Sequence, residues 1–415
     1  MRKIILFCLL LAVIIVNAQD SFLLKTDFGD VTPTFKSDMS GYDIDGDGYD
    51  DILIKSGASD FNASTWPPEH ITERYVVNND GTFILMDSPP VNDSDPNDIP
   101  FMDTHDGFGF VGDFDSQNGV DYVTVGGTNL EINAPCDPQG RIIMSDPNEP
   151  TGFSYYSIIG LYDARGVMFD FDNDGDLDLI YNGLDENITK RFIVYLNNSG
   201  TFELFINTTA DTDEKATDLG HITAADTDLD GDLDIINQGS QSSVYKTDVY
   251  VNNSGNFVGS GNNFPQVTSG SNPVVDINGD GFPDIIVSGI TTGTTGSIRY
   301  AEIFFNDGDT DGDGIGENTF TSQGSLKDEN GDTIGFTNSM SAFLDYNNDG
   351  HNDFFISGDA VSYDADMNII SGSQRQIAIV YLNDGSGGFT YEESHPGVSL
   401  GTLLIGDFDL SLIHI

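Results

Sequence analysis

A nine-residue pattern recurs along this chain: hard oxygen donors at positions one, three, five and nine, and glycine at position six. Three copies are fully acidic: Asp43, Asp45, Asp47 and Asp51 around Gly48; Asp170, Asp172, Asp174 and Asp178 around Gly175; Asp226, Asp228, Asp230 and Asp234 around Gly231. Two more place asparagine at position three: Asp276, Asn278, Asp280 and Asp284 around Gly281, and Asp345, Asn347, Asp349 and Asp353 around Gly350. Oxygen ligands at this spacing, folded back by a glycine, describe a calcium loop. The backbone carbonyl of position seven completes the shell, and that position is held by Tyr49, Asp176, Asp232, Phe282 and His351. Such unlike side chains fit a ligand supplied by the main chain. Carboxylates this close repel one another unless a cation neutralises them, so an uncharged-partner surface is a poor account of five in-register copies.

Other segments depart from the pattern. Asp113, Asp115, Gln117 and Asp121 form a degenerate copy with Asn118 at position six and one charge fewer. Asp309, Asp311, Asp313 and Glu317 keep the spacing but follow a hairpin turn instead of preceding a strand, and are expected to form an extra ion site. Asp407 and Asp409 begin a further copy that does not continue. An EF-hand would need flanking helices and a Glu at its twelfth position, and neither is present. Several bound Ca2+ ions are expected.

The loops also mark out the elements that position them. They begin at residues 43, 113, 170, 226, 276, 345 and 407. Each intact loop runs into a short apolar segment ending near a glycine, such as Leu179–Gly183, Ile235–Gly239 or Ile285–Gly289, which reads as a strand. A second motif follows, with an aromatic, an asparagine, a glycine turn and a later phenylalanine: Tyr195, Asn197, Gly200 and Phe202, or Tyr250, Asn252, Gly255 and Phe257. It reads as a hairpin whose Asn and Gly tolerate positive φ, with the second aromatic packing between sheets. Each repeat thus supplies four antiparallel strands, one blade of a β-propeller. The expected fold is all-β, a seven-bladed β-propeller over residues 19–415 with its last blade truncated. An elongated array of separate calcium modules is the alternative. Leu410–Ile415 abandons the loop pattern and is read as an artefact of the sequence.

Together these alternating loops and hairpins resemble the FG-GAP/VCBS repeat family, the calcium-loop propellers also found in integrin α-chain heads. The resemblance runs from about residue 30 to residue 410. It implies calcium at the loop residues named above and a role in adhesion or recognition.

Bulk properties narrow the function. With 15 basic and 68 acidic residues and a formal charge of −53, the chain repels nucleic acid and anionic membranes. Residues 1–18 read as a signal peptide: Arg2 and Lys3, an apolar run from Ile4 to Val16, then a small residue, Ala18. A retained anchor is the alternative, and no later segment is apolar enough to span a bilayer. Removal of Cys8 with the leader leaves Cys136 alone, so no internal disulfide is expected and metal is the available source of rigidity.

No catalytic group converges. Gly397, Ser399 and Gly401 match a nucleophile elbow by letter, but no strand–helix context surrounds them. A secreted or surface-exposed protein that recognises an extracellular glycan or protein without catalysis is the expectation. The turns opposite the ion loops, Asn62–Glu69, Ser88–His105, Asn133–Pro150 and Thr291–Ser297, are the expected recognition elements. A polysaccharide lyase or hydrolase is the alternative, marked by a pocket using Arg141, Arg165, Arg191, Arg299 or Arg375. A structural spacer in a larger surface protein is the third.

Overall fold

The computed structural model describes the strands up to Asp87, residues 38–43, and then residues 105–117, 119–127, 137–148, 153–241, 244–293, 296–399, 401 and 403–406. Every regular element among the described residues is a β-strand, and every pairing between them is antiparallel. Among the described residues no helix is long and apolar enough to cross a membrane.

Strands group in fours. Sheet I holds Asp38–Tyr42, Asp51–Ser56, Ile71–Val77 and Phe83–Asp87. Sheet II holds His105–Gly112, Asp121–Gly127, Pro138–Ser145 and Phe153–Ser157, and sheet III Tyr162–Phe169, Asp178–Leu184, Lys190–Asn198 and Thr201–Thr209. Sheet IV holds Asp218–Ala225, Asp234–Gln241, Val244–Asn253 and Asn256–Gly259. Sheet V (Val274–Val275, Asp284–Gly293, Gly296–Asn306, Phe320–Ser325) and sheet VI (Thr333–Leu344, Asp353–Tyr363, Arg375–Asn383, Phe389–Pro396) join through one residue pair, Tyr300 and Phe336.

The seventh unit differs from the truncated one expected. Leu403–Gly406 pairs with Arg2–Phe7, which continues through Ala12–Val16 to Leu23–Lys25, giving a four-stranded sheet VII. Ile4 stands opposite Ile14 and Ile5 opposite Val13, and such β-branched runs suit a strand as well as a leader. Because this segment is the one read as a signal peptide, the pairing describes the uncleaved chain.

First strands of successive sheets lie side by side. Asp38–Tyr42 neighbours His105–Gly112, which neighbours Tyr162–Phe169, which neighbours Asp218–Ala225. Leu403–Gly406 lies against both Thr333–Leu344 and Asp38–Tyr42. The core fills the space between sheets. Phe171 of sheet III meets Phe257 of sheet IV at 5.1 Å between ring centroids, and Phe114 of sheet II meets Phe202 of sheet III edge-on at 6.3 Å. Phe202 and Phe257, the phenylalanines after the hairpin turns of sheets III and IV, are therefore inter-sheet core residues, as their place in the motif predicts.

Second strands run further than the sequence suggests. They continue through Gly183, Gly239 and Gly289, whose φ values are 154°, 155° and 145°. The first strands bulge opposite them, between Tyr162 and Arg165 and between Asp218 and His221. Bulge and glycine absorb the kink together, so the ladder is bent rather than ended.

Candidate metal centres

Apart from 309–317, which lies between the third and fourth strands of sheet V, the ion loops join the first and second strands of their sheets, and position nine opens the second strand. Asp121, Asp178, Asp234, Asp284 and Asp353 are all fully buried there. One carboxylate oxygen accepts the amide of position two: Phe114 at 2.7 Å, Phe171 at 2.7 Å, Thr227 at 3.0 Å, Ile277 at 2.9 Å and Tyr346 at 2.8 Å. The other accepts an amide from the third strand: Ser145 at 2.8 Å, Asn197 at 2.7 Å, Asn252 at 2.7 Å, Asn306 at 2.8 Å and Asn383 at 2.8 Å. Burial pushes the carboxyls of Asp121, Asp178, Asp234 and Asp284 up to about 6 against these bonds, and raises that of Asp353.

Position one shapes the turn. Asp170 accepts the amides of Asp174 and Gly175 at 3.0 and 2.9 Å, and Asp226, Asp276 and Asp345 do the same in their loops. Position five accepts the amide of position seven, as Asp174 does from Asp176 and Asp349 from His351. Gly175, Gly231, Gly281 and Gly350 hold φ between 90° and 98°. A Cβ on Gly175 would meet nothing within 4 Å, so glycine is required by the dihedral, not by crowding. Position four is left-handed as well, at Asn173, Leu229, Gly279 and Asn348, which the sequence pattern did not single out.

Three groups of predicted ligands converge as sequence spacing requires. Carboxylate oxygens of Asp113, Asp115 and Asp121 lie within 4.8 Å of one another, as do those of Asp170, Asp172 and Asp178, and of Asp226, Asp228 and Asp230. Asp309, Asp311 and Glu317 form a fourth such group. Ligands about 2.4 Å from one Ca2+ can be no more than about 4.8 Å apart, so these oxygen-only sets fit that ion. The carboxyl of Asp172 is raised by burial and then by the charge of Asp174, and that of Asp228 by burial and then by Asp230. Such mutual repulsion is what a cation relieves. In loops 276–284 and 345–353 the asparagine at position three instead donates to the aspartate at five, Asn278 to Asp280 at 2.9 Å and Asn347 to Asp349 at 2.8 Å. Of loop 43–51, Asp45, Asp47 and Tyr49 lie outside the described residues, as do Asn118, Cys136, Asp407 and Asp409, and only the strand backbone of Asp51 is described.

Position-seven side chains cover the hairpin turn of their own sheet. Asp176 accepts the Ser199 amide at 2.8 Å, and the rings of Phe282 and His351 lie beside Gly308 and Gly385. Ion loops and hairpin turns therefore share one edge. The 309–317 loop joins them there: Gly316 donates to the Asp228 carbonyl at 2.7 Å, and Asn318 to the Asp228 carboxylate at 2.9 Å. Backbone amides, Gly314 foremost, hold the Asp309 carboxyl below its ordinary range, and the Thr310 amide does the same for Glu317.

The hairpin asparagines have another role than the one expected of them. Positive φ falls on Ser199 and Gly200, and on Ser254 and Gly255. Asn197, Asn252, Asn306 and Asn383 are buried, and each donates its side-chain amide to the position-two carbonyl of the preceding sheet's ion loop. The acceptors are Phe114 at 2.9 Å, Phe171 at 3.2 Å, Thr227 at 2.7 Å and Ile277 at 2.8 Å. The available signal was an asparagine two residues after the hairpin aromatic in each of these units, behind Tyr195, Tyr250, Phe304 and Tyr381. The segment Asn133–Pro150 also differs from the connection expected, since Pro138–Ser145 is the third strand of sheet II. Its hairpin carries Ser145 where the others carry asparagine, which hid it. Asn62–Glu69 lies outside the described residues, and Thr291–Ser297 is the tip of a long hairpin.

Each candidate arginine of the enzymatic alternative is engaged locally. Arg191 pairs with Asp185 at 2.8 Å and Arg375 with Glu329 at 2.7 Å. Arg141 stacks on Tyr155 at 4.6 Å, Arg165 donates to the Ala164 carbonyl, and Arg299 to the Asp359 carbonyl. Ser399 donates to Asp359 at 2.7 Å, in a segment between strands.

A family model described as an FG-GAP-like repeat matches residues 170–236, the stretch from loop 170–178 into the strand after loop 226–234. No curated protein matches the chain. Among solved structures, a protein from Lactobacillus plantarum aligns over 98% of this chain and 99% of its own, at 8% identity and a TM-score of 0.41. The V. cholerae biofilm matrix protein Bap1 aligns over 97% of this chain and 68% of its own, at 11% identity and a TM-score of 0.29. The chain is thus an all-β repeat protein that contains an FG-GAP-like repeat and clusters of acidic side chains able to hold divalent cations.

Proposed function

We propose that this chain is a calcium-stabilised β-propeller of seven blades, exported from the cell, that recognises an extracellular glycan or protein without catalysis. The carboxylate triads within 4.8 Å carry the reading, because in three successive sheets the fold brings loop positions one and three together with a third carboxylate, from position nine in two loops and position five in loop 226–234. The side-by-side order of first strands supports a ring over an elongated array. The FG-GAP-like match over residues 170–236 and the leader-like start of the sequence support a calcium-dependent extracellular role.

Ion loops and hairpin turns occupy one edge, so the free face for recognition is the opposite one, formed by turns such as Asp185–Thr189 and Thr291–Ser297. Calcium acts here as a structural ligand, and its binding to the folded form alone raises stability by about 2.7 kcal/mol per site at a hundredfold excess over Kd. Melting of the complete protein with Ca2+ and with chelator tests the structural part. A transition that does not move between the two conditions would remove it. The recognition part is tested by a glycan and polysaccharide array with Ca2+ present, reading both retention and new sugar ends. Retention without new ends is expected, and turnover that survives purification would overturn the non-catalytic assignment.

A further inference from the structure

We infer that the ion loops form a coupled series in which Asn197, Asn252, Asn306 and Asn383 are the positioning residues, so that occupancy of one loop favours occupancy of the next; this rests on the calcium reading above. Each asparagine touches two loops at once. Asn252 gives its backbone amide to Asp234 of its own loop at 2.7 Å and its side-chain amide to the Phe171 carbonyl at 3.2 Å. Phe171 lies between Asp170 and Asp172, two members of the preceding carboxylate triad. The same connection links Asp178 through Asn197 to Phe114, Asp284 through Asn306 to Thr227, and Asp353 through Asn383 to Ile277. Five loops are thereby strung together by four buried side chains.

Adjacent loops also touch directly. Asn173 donates to Asp232 at 2.6 Å, and Asn352 to the Asp276 carbonyl at 3.1 Å. The Asn318 amide bonds the Asp228 carboxylate, so the 309–317 insertion joins the series at loop 226–234.

The coupling has a direct physical origin. An ion draws the carboxylates of positions one and three, with nine in loops 113–121 and 170–178 and with five in loop 226–234, to a common centre against their repulsion. Position nine, which accepts the position-two amide between them, is fixed in turn. Fixing position nine fixes the asparagine whose amide it accepts. That asparagine then holds the peptide between positions one and three of the preceding loop, which has less freedom left to lose when it binds. Thermodynamic linkage makes the effect reciprocal along the series.

The test is calorimetric titration of the complete, ion-stripped protein with CaCl2, comparing the wild type with Asn252→Ser and Asn306→Ser. Serine is compatible with this position, because Ser145 holds it in sheet II with the same amide bond to Asp121. The wild type is expected to give a steep isotherm with a Hill coefficient clearly above one. Each variant should keep the number of ions bound but split the isotherm into two phases, with midpoints about fivefold or more apart. A wild-type isotherm of independent sites, or variant isotherms that superimpose on it, would overturn the coupling. Wild type that binds no Ca2+ would instead sink the calcium reading itself. Should the serine variants not fold when stripped, hydrogen exchange of an Asp276→Ala protein in saturating Ca2+ decides the matter. Loop 226–234 should lose protection while loop 113–121, farther along, keeps it; unchanged protection at 226–234 would refute the link.

Discussion

The Lys190 ammonium of sheet III donates to the Asp218 carboxylate of sheet IV at 2.8 Å, and also to the carbonyl and hydroxyl oxygens of Ser240 at 2.7 Å each. Three oxygens from the neighbouring sheet thus converge on one cation, and both charged side chains are largely shielded, at 14% and 10% exposure. In a chain with so few basic residues this one staples two repeat units.

Replacing Lys190 with methionine leaves Asp218 buried and without its cation. A loss of about 3 kcal/mol is expected, the cost of breaking a mostly buried pair. Lys246→Met, which removes the more exposed pair with Glu214 at 3.0 Å, should cost about 0.5 kcal/mol or less. Urea unfolding of both variants in Ca2+ checks the contrast. Equal losses would mean that the inter-sheet position of Lys190 confers nothing.

Loop residues should separate into those that hold only the ion and those that also hold the fold. Asp172→Ala removes a carboxylate that faces two others, so it should cost stability in Ca2+ and little or none in chelator. Asp178→Ala strands the amides of Phe171 and Asn197 and should cost about 2–3 kcal/mol in both conditions. Parallel melts with and without Ca2+ give four numbers. An Asp172 loss that persists undiminished in chelator would contradict the division.

Two neighbouring left-handed positions make opposite predictions. Gly231 has φ 98° and open space around it, so Gly231→Ala should cost about 1–2 kcal/mol from backbone strain alone. Leu229 has φ 62° and an exposed side chain, so Leu229→Gly should be stabilising or neutral, within about 1 kcal/mol. If the alanine were harmless and the glycine harmful by chemical denaturation, the loop would not hold this conformation in solution.

Asp178, Asp234 and Asp284 have carboxyls held up to about 6 by burial, above an ordinary value of 3.8. A raised carboxyl means the ion-free folded state binds protons more tightly than the unfolded chain. Its stability is therefore greatest at low pH from this source and falls as pH rises from about 4 through about 6. Where the raised carboxyl belongs to a convergent triad, as at Asp178, bound calcium must displace its proton, so in its presence stability should rise over the same interval. Denaturation at pH 5 and pH 7.5, with ion-stripped and Ca2+-loaded protein, would expose this crossing. Parallel pH trends in the two forms would argue that these aspartates do not take part in binding.

Much of the site was legible in the sequence because its determinants are local. Carboxylates at alternate positions and a glycine needed for its φ are properties of nine consecutive residues, and the triads 170/172/178 and 226/228/230 follow from that spacing. Strand pairing within a unit follows too, since apolar runs such as Leu179–Tyr181 and hairpin turns such as Ser199–Gly200 specify antiparallel neighbours at short range.

What only the tertiary structure decided is everything that crosses from one unit to the next. Sequence offers no reason for Asn252 to seek the Phe171 carbonyl, because the two are far apart in the chain and either could be satisfied by water in an isolated repeat. Lys190 reaching Asp218 and Ser240, and Ser145 standing in for an asparagine, are hidden for the same reason. The pairing of Leu403–Gly406 with Arg2–Phe7 is the extreme case, joining segments that share no local pattern. Local dihedral and charge rules act within a turn or a hairpin. Buried polar groups must find partners wherever the packing of whole sheets places them, and that packing is set by the entire chain at once.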